Sequence, residues 1–109
     1  MPGTGTAADR VLDALGDGTR RRVLALVRHE PRSVGDIAGD LPVSRPAVSQ
    51  HLKVLKGAGL VTDRAEGTRR LYVADPTGLA ALRAYVETFW DDALAAFAAA
   101  AQEEGDPDR

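Results

Sequence analysis

Apolar positions recur three and four residues apart through most of this chain, and the runs are broken at a few Gly, Pro, Ser and Asp positions. Such spacing builds helices with one apolar face. Val11, Leu12 and Leu15 form the first stripe, behind Thr6 as N-cap and Asp9 at N3, so a helix is predicted up to residue 15. Asp17 caps a second helix, about 18–29, with Val23, Leu26 and Val27 inward and Pro31 as its stop. Ser33-Val34-Gly35-Asp36 is a further capping box; it opens a third helix with Val34, Ile37, Ala38 and Leu41 apolar, closed by Pro42. Ser44 caps a fourth helix, Pro46 sits in its first turn where a missing N–H costs nothing, and Gly57 and Gly59 end it. Val43 and Val48 bracket its start as a hydrophobic staple.

Beyond Gly59 the pattern shortens. LVTDRA and RRLYVA are strand-like, and Glu66-Gly67-Thr68 between them supplies the positive-φ residue of a hairpin. Asp75-Pro76 then opens a helix of about 25 residues, near 37 Å long. On it Leu79, Leu82, Val86, Phe89, Trp90, Ala93, Leu94 and Phe97 share about 140° of arc over five turns. Two helices, a helix-turn-helix, a hairpin and a long helix make a mainly α fold with a small β-hairpin, the winged helix-turn-helix plan. A single domain is expected over 6–101, with residues 1–5 and 102–109 as flexible ends.

Length and composition narrow the function. One core is what 109 residues can bury. No cysteine is present, which removes disulfides, thiolate metal sites and a cysteine nucleophile. No apolar run nears 18 residues and the opening MPGTGTAADR is no signal peptide, so a soluble cytoplasmic domain is expected. The net charge of −2 hides a segregation: residues 20–73 carry eleven basic against five acidic side chains, +6, while 74–109 carry two against eight, −6, and 1–19 contribute −2. A basic block of this kind suits a polyanion. The alternative is mutual neutralisation of the blocks across the fold.

The fourth helix has two chemically distinct faces. With Val48 at 0°, Leu52 and Leu55 fall beside it and face the core, while Lys53, Pro46 and Gln50 lie at about 140°, 160° and 200° and Ser49 at about 100°. The outer face thus offers an amide, a hydroxyl and a cation with little bulk. Gln50 and Ser49 suit base edges in a major groove, and Arg45 at the helix start suits a guanine or a phosphate. Ser44 and the first-turn N–H groups suit a phosphate oxygen, as do Lys53 and Lys56. His51, at about 300°, sits on the seam: it either meets DNA or is a half-buried histidine bonded to a nearby carbonyl, the second being the more ordinary role. The hairpin carries Arg64, Arg69 and Arg70, cations suited to the minor groove or its phosphates, although exposed-strand arginine also serves solubility and blocks edge pairing.

These segments resemble the ArsR/SmtB family of bacterial winged-helix repressors. ALGDGTRRRVLALV is similar to that family's second-helix opening, SVGDIAGDLPVSRPAVSQHLKVLKGAGLV to its helix-turn-helix, and RAEGTRRLYVAD to its wing. The last helix, DPTGLAALRAYVETFWDD, resembles the branch without metal sites, often autorepressors. The resemblance implies a homodimeric repressor on an imperfect inverted repeat. Two departures stand out: Gly18 occupies the family's usual Pro position, and SVGDIAGDL lacks the cysteines of the family's thiolate site. The last helix has Glu87, Asp91 and Asp92 but no His, and His29 and His51 lie on different helices, so no metal or other cofactor is expected.

The expected partners are double-stranded DNA and a second copy. Val11, Leu12, Leu79, Leu82, Val86, Phe89, Trp90, Leu94 and Phe97 are the expected dimer contacts, because so long an apolar face exceeds what this small core covers. An organic effector in the crevice between the last helix and the winged core stays open. A protein-interaction module is the first rival reading. An enzyme is the second, and it finds no G-x-S-x-G, Gly-rich phosphate loop or His pair.

Overall fold

In a computed structural model, residues 6–104 are described and arrange as α1 (Ala7–Leu15), α2 (Gly18–Leu26), α3 (Val34–Asp40), α4 (Arg45–Gly57), β1 (Val61–Glu66), β2 (Arg69–Ala74) and α5 (Pro76–Glu104). Each helix start follows from local chemistry. Thr6 and Asp9 exchange side-chain and backbone hydrogen bonds across the first turn of α1, and Ser33 and Asp36 do the same at α3. The Asp17 carboxylate accepts the Arg20 amide at 2.9 Å, and the Ser44 hydroxyl accepts the Ala47 amide at 3.2 Å. Four short helices therefore begin where their caps stand.

Val11, Ala14, Val23, Val27, Ile37, Val48, Leu52, Leu55, Leu60 and Val61 form one core, drawn from all of the first four helices and β1. β1 and β2 pair antiparallel from Val61 opposite Ala74 to Glu66 opposite Arg69. Gly67, at φ +63°, makes the tight turn between them, as the hairpin motif requires. A second, one-residue pairing was not expected: Arg32 and Tyr72 exchange backbone hydrogen bonds of 2.9 and 2.8 Å, so the link before α3 extends the hairpin into a rudimentary three-stranded sheet.

Two boundaries differ from the expectation. α2 ends at Leu26, not near 29: the Leu26 carbonyl accepts the Arg32 guanidinium at 2.7 Å where a longer helix would offer it the residue-30 amide, and the Val27 carbonyl, which Pro31 cannot serve, accepts the Ala74 amide at 3.0 Å. α5 runs to Glu104, three residues into the stretch read as a flexible tail; the remainder of that stretch, and residues 1–5, lie outside the described residues.

α5 divides in two. Its first turns pack on α1 and the core, through Leu82. From Arg83 to Glu103 every side chain is exposed, so most of the helix projects from the domain and stretches the molecule to 73 × 33 × 22 Å. Among the described residues no helix is long and apolar enough to cross a membrane.

Candidate nucleic-acid interface

α4 presents the face that its periodicity predicts. Val48, Leu52 and Leu55 are fully buried, and Ser49, Gln50 and Lys53 are exposed on the opposite side. Among the described residues, Gln50 and Lys53 form no hydrogen bond or ion pair, which leaves their polar heads available. Ser44 uses its oxygen to cap the helix but keeps its O–H to donate. His51 is half-buried, and at α2's N-cap the Arg20 amide, followed by the Arg20 charge, holds the Asp17 carboxyl below its ordinary range.

The wing is fastened to the helix-turn-helix by carboxylates. Arg69 reaches Asp36, the N3 residue of α3, at 2.8 Å. Arg70 reaches Asp63 on β1 at 2.8 Å, and the other oxygen of Asp63 meets Lys56 in the last turn of α4 at 2.7 Å. Arg64 and Glu66 approach to 4.0 Å along β1. Four of the six residues expected at phosphates thus have intramolecular carboxylate partners, a feature that residue types along the chain do not reveal. Each arginine bonded this way retains further N–H donors. Asp36 is held low first by the Ser33 amide and hydroxyl and then by the charges of Arg69 and Arg32; Asp63 first by its Lys56 hydrogen bond and then by Arg70.

Arg45 lies on the α3 side of α4, its guanidinium packed over Gly35, where an added Cβ would stand 3.1 Å from Nη2. With Ser33, Asp36, Thr68, Arg69 and Arg70 it lines an open cleft of about 540 Å³ between the starts of α3 and α4 and the wing tip. Its three guanidinium groups outnumber the lining carboxylate of Asp36, so the cleft is net cationic, with Arg69 and Arg70 already bonded to Asp36 and Asp63.

The charge block also resolves. Arg20 donates to the Ala14 carbonyl at 3.1 Å, Arg21 to that of Leu15, and Arg32 to that of Leu26, so these three arginines cap helix ends. The ion pairs of the block use its own acids, Glu30, Asp36, Asp40, Asp63 and Glu66, which the +6 already counts. On α5, Arg83 pairs within the helix with Glu87 at 3.3 Å.

At the opposite end, Tyr85, Val86, Phe89, Trp90, Leu94 and Phe97 stand exposed on α5, Trp90 at 63% and Phe97 at 73%. Tyr85 and Phe89 meet edge to face at 5.0 Å. Leu12 and Leu79 are also exposed. Val11 is not: at 0% exposure it belongs to its own protomer's core and has no surface for a partner. Leu82 is half-buried in the same core. No group of three or more His, Cys, Asp or Glu suited to a metal occurs among the described residues.

Residues 17–63 match the family described as bacterial regulatory protein, arsR family. The HTH-type transcriptional regulator Rv2034 of Mycobacterium tuberculosis is 59% identical over 98 residues, 90% of this chain and 92% of that protein. The chain belongs to the ArsR family. Its members here are transcriptional regulators rather than enzymes, and the winged helix-turn-helix is their DNA-binding architecture. Among solved structures, an ArsR-like transcriptional regulator from Rhodococcus sp. RHA1 superposes with a TM-score of 0.78 at 31% identity, covering 93% of this chain and 95% of that one. A homodimeric winged helix-turn-helix DNA-binding domain from Mycobacterium bovis, solved by NMR as a possible ArsR-family regulator, gives 0.63 at 32% identity, with 84% and 92% covered.

Proposed function

We propose that this ArsR-family regulator is a repressor that binds an inverted-repeat operator as a homodimer joined through α5 and Leu12 of α1. The observation that carries the reading is the pairing of an unpartnered, small-surfaced α4 face with an uncovered apolar stripe on a projecting α5. The first needs a groove and the second needs a copy of itself. The homodimeric state of the M. bovis domain supports the second. A two-fold dimer sets its recognition helices about 34–36 Å apart, which matches one turn of duplex and demands a pseudo-palindromic site.

In this reading Gln50 and Ser49 contact base edges, with Arg45 at the groove entrance. Ser44 and Lys53 hold phosphates, and Lys56, Arg64, Arg69 and Arg70 line the backbone with the donors their carboxylate partners leave free. The test is selection of bound fragments from the source genome, followed by titration of the recovered duplex against a scrambled one. A symmetric enriched site with a steep salt dependence is expected; equal affinity for both duplexes overturns the proposal.

A further inference from the structure

Asp63 is unusual among the acids of the reading surface. Its side chain is only 7% exposed, whereas those of Lys56 and Arg70 are 57% and 54% exposed. Each carboxylate oxygen has one cation, Oδ1 with Lys56 at 2.7 Å and Oδ2 with Arg70 at 2.8 Å. Asp36, its counterpart under Arg69, is also engaged in capping α3, but both bonds of Asp63 go to cations that point toward duplex DNA in the reading above. Asp63 pairs across the hairpin with Tyr72, so Arg70 is its diagonal neighbour on the same face. Lys56 comes from the end of α4. One carboxylate therefore joins the recognition helix, β1 and β2.

Removing a carboxylate from water is costly, and an apolar residue fills such a site more cheaply. A negative charge in a surface meant for a polyanion also weakens attraction to any duplex. Both costs fall away if the charge acts on the two cations. Unrestrained, an ammonium and a guanidinium side by side repel, swing outward and take whatever phosphate is near, since phosphate contacts carry no sequence information. Held by Asp63, they sit at fixed positions with one of their two charges cancelled, and the wing keeps a fixed angle to α4.

We infer that Asp63 is a positioning residue for operator discrimination, holding Lys56 and Arg70 so that the wing and recognition helix engage only a duplex whose bases also fit α4. The inference rests on the proposed binding of duplex DNA. Its test compares wild type with Asp63→Asn on the genomically selected operator and on a scrambled duplex of equal composition, over a salt series. The variant is expected to bind the scrambled duplex more tightly, to steepen the salt slope by about one unit, and to lose about tenfold in operator preference. A brace of the fold alone would change both affinities in proportion to the folded fraction and leave the slope untouched. The pair Asp63→Asn/Arg70→Gln restores the group's net charge and keeps a neutral hydrogen-bonding pair. It is expected to return the slope to the wild-type value while operator preference stays low. Wild-type slope and preference in Asp63→Asn, or wild-type preference in the pair, overturns the inference. Should Asp63→Asn fail to fold, the pair decides by the same preference. A wild-type protein with no preference for any duplex removes the DNA reading and this inference together; a wild-type preference retained by both variants removes this inference only.

Discussion

The Gly78 amide donates to the Gly59 carbonyl at 2.8 Å, and a Cβ on residue 78 would stand only 2.7 Å from the carbonyl oxygens of Ala58 and Gly59. Gly59 itself turns the chain out of α4 at φ +76°, a conformation that favours glycine. The first turn of α5 is thereby pressed directly on the backbone that ends α4. The long α5 and the helix α4 meet at two residues without side chains.

Gly78→Ala tests that joint. Alanine in a helix ordinarily gains up to about 1 kcal/mol over glycine, but here the added methyl overlaps backbone that cannot step aside. A net loss of about 1–3 kcal/mol is expected, as for other overpacked sites. A displaced α5 should also shift preference toward operators with half-sites spaced differently by one base pair. Thermal melts and binding to a spacing series check both; a more stable variant with unchanged spacing preference would refute the joint's role.

Gln50→Ala should cost about 1–3 kcal/mol on the operator and relax preference at one base-pair position per half-site. Its exposed, unpartnered amide motivates this, and fold stability should stay unchanged. Titrations on all single-base variants read it out, with equal losses at every position counting against base readout.

Lys53→Ala should weaken all duplexes alike and lower the salt slope by about one unit. Lys53 suits this test better than Arg69 or Arg70, whose removal also unfastens the wing. A loss confined to the operator would show that Lys53 contacts a base instead.

Trp90→Glu should yield a monomer at micromolar concentration by sedimentation, because the indole is exposed on one protomer and a charge cannot be buried against its symmetry mate. The winged domain's own core does not contain Trp90, so secondary structure over 6–82 should persist. Operator affinity should collapse with the dimer. A dimeric variant would place the interface elsewhere.

Acid should loosen the wing. Asp36 and Asp63 bind protons more weakly folded than unfolded, the first through the Ser33 amide and hydroxyl, the second through Lys56. In that range the unfolded chain holds more protons, so stability rises with pH. The contribution is complete above the ordinary aspartate value of 3.8 and is lost as pH falls through the lower folded values. Denaturant midpoints should be level near neutrality and fall in acid, and the acid limb should be shallower in Asp36→Asn/Asp63→Asn. An unaltered acid limb would contradict the assignment.

What could be read along the chain was local. Caps act over three residues, so Thr6 with Asp9, Ser33 with Asp36, Asp17 and Ser44 place their helices unaided. The buried trio on α4 follows from its period alone. Long-range contacts left no such mark. Pro31 suggested a stop for α2, but carbonyl partners from Arg32 and Ala74 end it earlier. Asp63 looked like one opposed charge among strand residues until the hairpin and α4 brought Arg70 and Lys56 to it. Val11 and Leu12 are adjacent apolar residues, and only packing decides that the first turns inward and the second outward.

The projecting α5 carries Glu87, Asp91 and Asp92 far from the arginines of the helix-turn-helix and wing. Such an arrangement gives each protomer a large electric dipole along its long axis. In a two-fold dimer the components across the symmetry axis cancel and those along it add, so the field of a nucleic-acid rod exerts a torque on that sum before any contact, turning the cationic reading side inward. Beyond a screening distance of about 8–10 Å at physiological salt that torque fades, so it acts in the last moments of approach and makes more of the encounters start in a usable orientation.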